Sequence, residues 1–194
     1  MEQEKVLKEF RAAGALLDGH FILSSGLHSR QYLQCARVLM DTKRSARLCR
    51  ALASKVREAF GDKIDCVVAP AMGGVIVGYE MGRQLGVPTM FLERVDGAFE
   101  LRRGFALEKN SRVLMVEDIV TTGLSSREAI ATITSYGAKV TGAACLIDRS
   151  NGRAKIGKKL VPLTKMKVET FPANKLPKDL LNKPAVKPGS RGLK

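Results

Sequence analysis

Residues 112–129 read RVLMVEDIVTTGLSSREA, and no other stretch constrains the chain as tightly. Val113, Leu114, Met115 and Val116 form a continuous apolar run bounded by polar residues, the pattern of a strand buried on both faces. Two carboxylates follow, Glu117 and Asp118, then Ile119 and Val120, then Thr121, Thr122 and Gly123. A helical pattern begins around Leu124, Ser125 and Ser126, with the acid Glu128 near its start. The expected local structure is a strand ending in acid, a small hydroxyl-rich turn, and a helix. A helix N-terminus after such a turn offers free N–H groups to a phosphate. Carboxylates beside a phosphate repel it unless they face sugar hydroxyls or a cation. The stretch therefore suits a ligand that joins a sugar to a phosphate. Taken alone, it suits a capped strand–turn–helix without a ligand equally well.

The rest of the chain bounds what such a site can belong to. At 194 residues and 45% hydrophobic, it suits a single domain with a real core. No apolar run approaches the roughly 18 residues of a membrane helix. The charged, helical start MEQEKVLKEF does not read as a signal peptide. Cys35, Cys49, Cys66 and Cys145 lack metal or redox spacing and read as small core residues of a protein from a reducing cytoplasm. The net charge of +14 invites a nucleic-acid partner. However, residues 153–194 hold 12 Lys and Arg against 2 Asp and Glu, so most of the excess lies in one terminal fifth. With few aromatics there to stack bases, this reads as a solvated surface, and neither nucleic acid nor membrane is expected as a partner.

In chain order, residues 2–17 carry Val6, Leu7, Phe10 and Ala13 at helical spacing, with Gly19 closing the stretch. Residues 21–23 and 29–35 read as short strands around a turn at Ser24, Ser25 and Gly26, with both histidines, His20 and His28, close by in structural or surface roles. Residues 42–60 form a helix with Asp41 or Thr42 as N-cap and Leu48, Leu52, Val56 and Phe60 at four-residue steps. Residues 65–70 are a buried strand, and Gly73-Gly74 opens a helix to about Leu85, a second place where backbone can approach an anion. Residues 87–94 are a strand, Asp96-Gly97 signals a hairpin, and 99–105 the return strand. Residues 127–136 complete a helix, 139–147 are a strand ending near Arg149, and 160–170 look strand-like. Beyond Phe171, Pro172, Pro177, Pro184, Pro188 and Gly189 describe an irregular tail. Alternating strands and helices predict an α/β fold with a mainly parallel central sheet flanked by helices. Ligands of such sheets sit at the carboxyl ends of the strands. Gly73, Gly74, Arg94, residues 117–125 and Arg149 all fall at those ends.

The run VLMVEDIVTTGLS resembles the phosphoribosyl pyrophosphate (PRPP) motif of type I phosphoribosyltransferases. Leu23, Ser25, Gly26, Ser29 and Tyr32 resemble the N-terminal hood of the orotate-using branch of that family, and ERVDG with LRRGF is similar to its short-loop bacterial subgroup. The resemblance implies a type I phosphoribosyltransferase fold over residues 1–194. A small hood comes from about residues 1–40 plus part of the C-terminal segment, and the core from about 41–150. It implies transfer of ribose 5-phosphate from PRPP to orotate, giving orotidine 5′-monophosphate and diphosphate on the route to UMP. It also implies a homodimer and Mg²⁺ as cofactor. The metal is carried by PRPP, with Asp118 the one protein group offered to it.

On this reading Glu117 and Asp118 are catalytic and face the ribose. Ile119, Val120, Thr121, Thr122, Gly123, Leu124 and Ser125 hold the sugar phosphate. Gly73, Gly74 and Arg94 hold the diphosphate. Thr121, Arg149, Ser25 and Tyr32 hold orotate. Many family members carry a lysine at the Ser24 position and several lysines and a histidine in the loop after Arg94; here Arg102 and Arg103 are the catalytic substitutes. Two other readings are a phosphoribosyltransferase for another base and a PRPP-sensing regulator that binds nucleic acid.

Overall fold

The structure, a computed structural model, describes residues 1–23 and 25–188. The Ser24 position and the end of the tail from Gly189 lie outside the described residues.

The chain opens with α1 (Gln3–Ala12), β1 (Leu16–Ile22), β2 (His28–Leu33), α2 (Cys35–Leu39) and α3 (Thr42–Phe60). The first helix is shorter than its apolar spacing predicts. Gly14 takes a positive φ of 60° and turns the chain, so Leu16 and Leu17 pair as strand residues with Leu33 and Tyr32. In α3, the Asp41 carboxylate accepts from the Arg44 N–H at 2.9 Å and caps the helix. Its buried face includes Leu48, Leu52 and Val56, and Gly61 ends it.

The core follows: β3 (Cys66–Pro70), α4 (Gly73–Leu85), β4 (Thr89–Val95), β5 (Ala98–Leu101), β6 (Arg112–Val120), α5 (Leu124–Ser135), β7 (Lys139–Asp148) and β8 (Leu160–Lys165). These strands make a six-stranded sheet in the order β5-β4-β3-β6-β7-β8, parallel except for the β4–β5 pair at one edge. The strand β6 is longer than its apolar run. Pairing with β7 continues through Ile119–Ile147 and Val120–Asp148, so Glu117 and Asp118 lie inside the strand rather than beyond its end. The Asp96-Gly97 hairpin forms as expected, with positive φ at both residues. The return strand stops at Leu101, because Arg103 and Gly104 also take positive φ and fold Phe105 back in a tight turn.

Apolar side chains cover both faces of the sheet. Val67, Leu114 and Val116 pack with Val77, Met81 and the α3 residues, whereas Val68, Leu92 and Met115 pack with Ile130 and Ile133 of α5. The α4 helix approaches the sheet closely: a Cβ on Gly78 would stand 2.6 Å from the Ala69 Cβ. Phe60 lies over Gly142 of β7, where an added Cβ would be 2.1 Å from the ring.

The region expected to be a strand over 160–170 splits in two. Residues after Lys165 leave the main sheet, and β9 (Thr170–Phe171) joins β1 and β2 in a separate three-stranded sheet. A 3₁₀ turn (Ala173–Lys175) and α6 (Lys178–Leu181) follow, and Val186 bridges to Phe21. Thus the tail is more regular than its prolines suggest. His20, buried in this small sheet, lies 2.9 Å from the Lys183 carbonyl through Nδ1 and 2.6 Å from His28 Nδ1 through Nε2, a structural role as expected. The four cysteines are buried and free. Among the described residues no helix is long and apolar enough to cross a membrane.

Replacing Gly78 with Val should push α4 off β3 and cost about 1–3 kcal/mol, the range for overpacking a close contact. The urea midpoint would fall with an unchanged slope.

Candidate active site

The sheet order sets the place. From β3 the chain crosses through α4 to β4 on one side; from β6 it crosses through α5 to β7 on the other. The two connections part above β3 and β6, which leaves a crevice at the carboxyl ends of those strands. Gly73 and Gly74 stand on one wall, and residues 117–125 on the other.

Strand alternation separates the two acids. Glu117 faces α5, where the Ser126 hydroxyl donates to its Oε2. Asp118 faces α4, and a Cβ on Gly73 would sit 2.9 Å from its Oδ2. The two side chains therefore leave the strand on opposite faces. Burial pushes the Glu117 carboxyl up to about 7, opposed by the Ser126 hydrogen bond and helped by the Asp118 charge. Burial also raises Asp118, and its Oδ1 accepts from the Ile119 N–H at 2.9 Å.

The turn between β6 and α5 is open to solvent. Thr121, Thr122 and Leu124 are exposed and Ser125 is half-buried. Thr122 Oγ1 accepts from the Leu124 N–H at 3.3 Å, and its carbonyl accepts from Arg127 at 3.1 Å. Arg127 also reaches the Lys155 carbonyl, so it ties the turn to the loop after β7; nothing in its sequence context marks this role. Gly123, at φ 74°, caps α5 and leaves no room for a side chain, since a Cβ would stand 2.8 Å from Ile156.

The strand β7 ends beside this turn. The Arg149 N–H donates to the Val120 carbonyl at 2.9 Å. Its half-buried guanidinium has no ion pair among the described residues, and burial lowers its pKa. Tyr32, from the small sheet, lies within electrostatic range of both Arg149 and Asp118, with burial raising its phenol. Residues far apart in sequence therefore meet at one crevice. Among the described residues, the Ser25 Oγ accepts from the Leu27 N–H at 3.4 Å.

Two of the three loop arginines, Arg94 and Arg103, are engaged by acids. Arg94 projects toward α5, pairs with Glu128 at 2.6 Å and lies 4.1 Å over the Phe99 ring. It is therefore on the face away from Gly73 and Asp118. Arg103 pairs with Glu93 at 2.8 Å. Arg102 is exposed and makes no ion pair among the described residues. The strand register aligns Pro70, Leu92 and Leu101 across β3, β4 and β5. Two strand spacings put Arg102 and Arg103 about 10 Å from the end of β3.

Comparisons with known proteins agree with this architecture. The family model described as phosphoribosyl transferase domain matches residues 38–175. The chain is 60% identical over 191 residues to an orotate phosphoribosyltransferase of Parvibaculum lavamentivorans, covering 98% of each chain. It is 56% identical over 193 residues to that of Maricaulis maris, covering 100% of each. Among solved structures, orotate phosphoribosyltransferase from Aeropyrum pernix superposes with a TM-score of 0.73 at 27% identity, over 83% of this chain and 93% of that one. Adenine phosphoribosyltransferase from Saccharomyces cerevisiae, at 20% identity and a TM-score of 0.67 over 83% of this chain and 99% of that one, shares the fold. With the family domain spanning most of its length and full-length relatives at more than half identity, the chain belongs to the phosphoribosyltransferases, in the branch of the orotate phosphoribosyltransferases.

Proposed function

We propose that the chain transfers ribose 5-phosphate from PRPP to orotate, releasing diphosphate and forming orotidine 5′-monophosphate for pyrimidine synthesis. The observation that carries this reading is Arg149: a half-buried guanidinium at the crevice with no carboxylate partner among the described residues. A desolvated, unpaired cation costs free energy until an anion arrives, and a planar fork matches a carboxylate. Orotate is a carboxylated base, whereas adenine and uracil carry no such group. Tyr32 and the exposed Thr121 stand beside Arg149 to flank the ring.

The remaining residues divide the PRPP molecule among them. Thr121, Thr122, Leu124 and Ser125 at the N-terminus of α5, with the backbone of Ile119, Val120 and Gly123, cradle the 5′-phosphate through N–H groups and hydroxyls. Gly73 and Gly74 let the diphosphate approach the start of α4. Glu117 accepts hydrogen bonds from the ribose and favours positive charge developing on the ring. Asp118, directed at Gly73, faces the diphosphate side, and its hard carboxylate oxygens fit Mg²⁺ better than a neutral donor would. When bound, Mg²⁺ neutralises charge on the leaving diphosphate. Deprotonated orotate attacks the anomeric carbon as the bond to diphosphate breaks, so the chain needs no strong general base.

The working unit is a homodimer, and the whole chain acts as one catalytic domain. Met40, Met72, Ile76 and Tyr79 are 77%, 85%, 48% and 67% exposed around one face of α4. An apolar face of this kind suits a second copy. Arg102, exposed and without an ion pair among the described residues, is then available to the diphosphate of the partner. Arg94 and Arg103 are held by surface ion pairs, weak enough to exchange for a diphosphate. The buried free cysteines suit a reducing cytoplasm.

Purified protein with PRPP and Mg²⁺ should consume orotate and leave uracil and adenine untouched; persistence of the orotate absorbance would refute the assignment. Arg149→Ala should lower kcat/KM for orotate by about 30-fold or more, the effect of about 2 kcal/mol from a lost buried charge pair. Arg102→Ala should lower kcat by about tenfold or more while Kd for orotate stays within twofold; equal kinetics would place the clamp elsewhere. Tyr79→Asp should shift the mass in solution from dimer to monomer, measured by light scattering.

A further inference from the structure

The strand β5 is the last in the main sheet, beside β4. Its hairpin turns on two residues, Asp96 and Gly97, so Val95 and Ala98 exchange backbone hydrogen bonds. Alternation then directs the backbone groups of Phe99 and Leu101 away from β4. An edge strand presents such N–H and C=O groups unpaired. Here α5 meets them. Glu128, Thr132 and Tyr136 follow at four-residue steps, two on α5 and the third at its C-terminal cap, and so share one face. Thr132 Oγ1 donates to the Phe99 carbonyl at 3.4 Å, and the Tyr136 hydroxyl accepts from the Leu101 N–H at 3.3 Å. Glu128 completes the stripe through Arg94, which lies over the Phe99 ring. A threonine in a helix commonly bonds its hydroxyl to the carbonyl four residues back, as Thr134 does to Ile130 at 2.8 Å. Thr132 turns to the neighbouring strand instead.

Leu101 immediately precedes Arg102 and Arg103. The turn they form is held at its far end as well. The Phe105 N–H donates to the Arg102 carbonyl at 3.0 Å, and the Phe105 ring stands edge-on to Phe91 with centroids 5.2 Å apart. Arg103 pairs with Glu93, whereas Arg102 is exposed without an ion pair among the described residues. Resting on the reading of Arg102 as a diphosphate-binding residue, we propose that Thr132 and Tyr136 are positioning residues for it: they clasp the edge strand to α5 and fix the turn from which Arg102 extends. The gain is entropic. An arginine on a mobile turn must have both its backbone and its side chain ordered when it meets an anion, and a turn fixed beforehand removes the first cost. The same helix starts at the turn of residues 121–123, so the clasp also sets the arginine turn relative to the sugar-phosphate turn.

The test compares wild type, Tyr136→Phe, Thr132→Val, Arg102→Ala and the double variant Tyr136→Phe/Arg102→Ala, by kcat and by calorimetric Kd for orotate. Tyr136→Phe removes one hydroxyl and keeps the ring. It should lower kcat by about threefold, the lower end for one hydrogen bond at a surface, with Kd for orotate unchanged. Thr132→Val should act in the same direction. In the Arg102→Ala background, Tyr136→Phe should lower kcat no further, because a residue that acts through Arg102 has nothing left to place. Amide exchange at Leu101, read by NMR, should accelerate in Tyr136→Phe. Losses that multiply in the double variant, or wild-type kcat in both Tyr136→Phe and Thr132→Val, would overturn the positioning role. Unchanged exchange at Leu101 would overturn the clasp. Arg102→Ala at wild-type kcat would overturn the diphosphate reading itself, and with it the positioning role, while exchange at Leu101 still decides the clasp.

Discussion

The site depends on one topological constraint: the crossover after β3 and the crossover after β6 leave the sheet in opposite directions. Backbone cannot fill the gap they leave, because each connection folds back over its own side. The crevice therefore exists before any side chain is chosen. Two helix N-termini look into it, one opened by Gly73-Gly74 and the other by Gly123. The sheet holds these termini in place through apolar packing on both faces, with α4 drawn so close that Gly78 has no room for a side chain.

The electrostatics of the molecule follow a different rule at the crevice than elsewhere. Most ion pairs are at the surface, such as Arg30 with Asp179 and Arg112 with Asp65, and each contributes little. At the crevice, Glu117, Asp118 and Arg149 are removed from water without a full complement of partners. Burial raises both acids and lowers the arginine, so each charged form is disfavoured until ligand charge or hydroxyl groups arrive. An apparent deficit in stability is what makes the site receptive.

The small sheet explains how the chain ends contribute. Its strands β1 and β2 come from the start of the chain and β9 from near the end. The tail is held further by His20 on the Lys183 carbonyl and by Val186 against Phe21. Tyr32 rides on β2 and meets Arg149. A sequence reading finds the two strands but not their third partner, because Thr170 and Phe171 are too short a stretch for alternation to show. It also extends the first helix too far. Helical spacing in residues 2–17 competes with a strand pairing whose partner lies beyond the turn, and the pairing wins.

The strand–turn–helix of residues 112–135 was determined by the sequence itself. Its apolar run, its acids, its glycine cap and its helix lie within one short segment, where local periodicity and turn chemistry decide the outcome. The same holds for α3, α4 and the Asp96-Gly97 hairpin. The family relationship was legible for the same reason, since its signature is local. Only the tertiary structure decided which helix each acid faces, that Arg149 has no ion pair among the described residues, that the Ser126 hydroxyl meets Glu117, and that Arg94 is engaged by Glu128 on the far side of its strand. Each depends on the register and order of strands that are distant in the chain. Such contacts are set by the packing of whole elements, for which a single sequence carries no local signal.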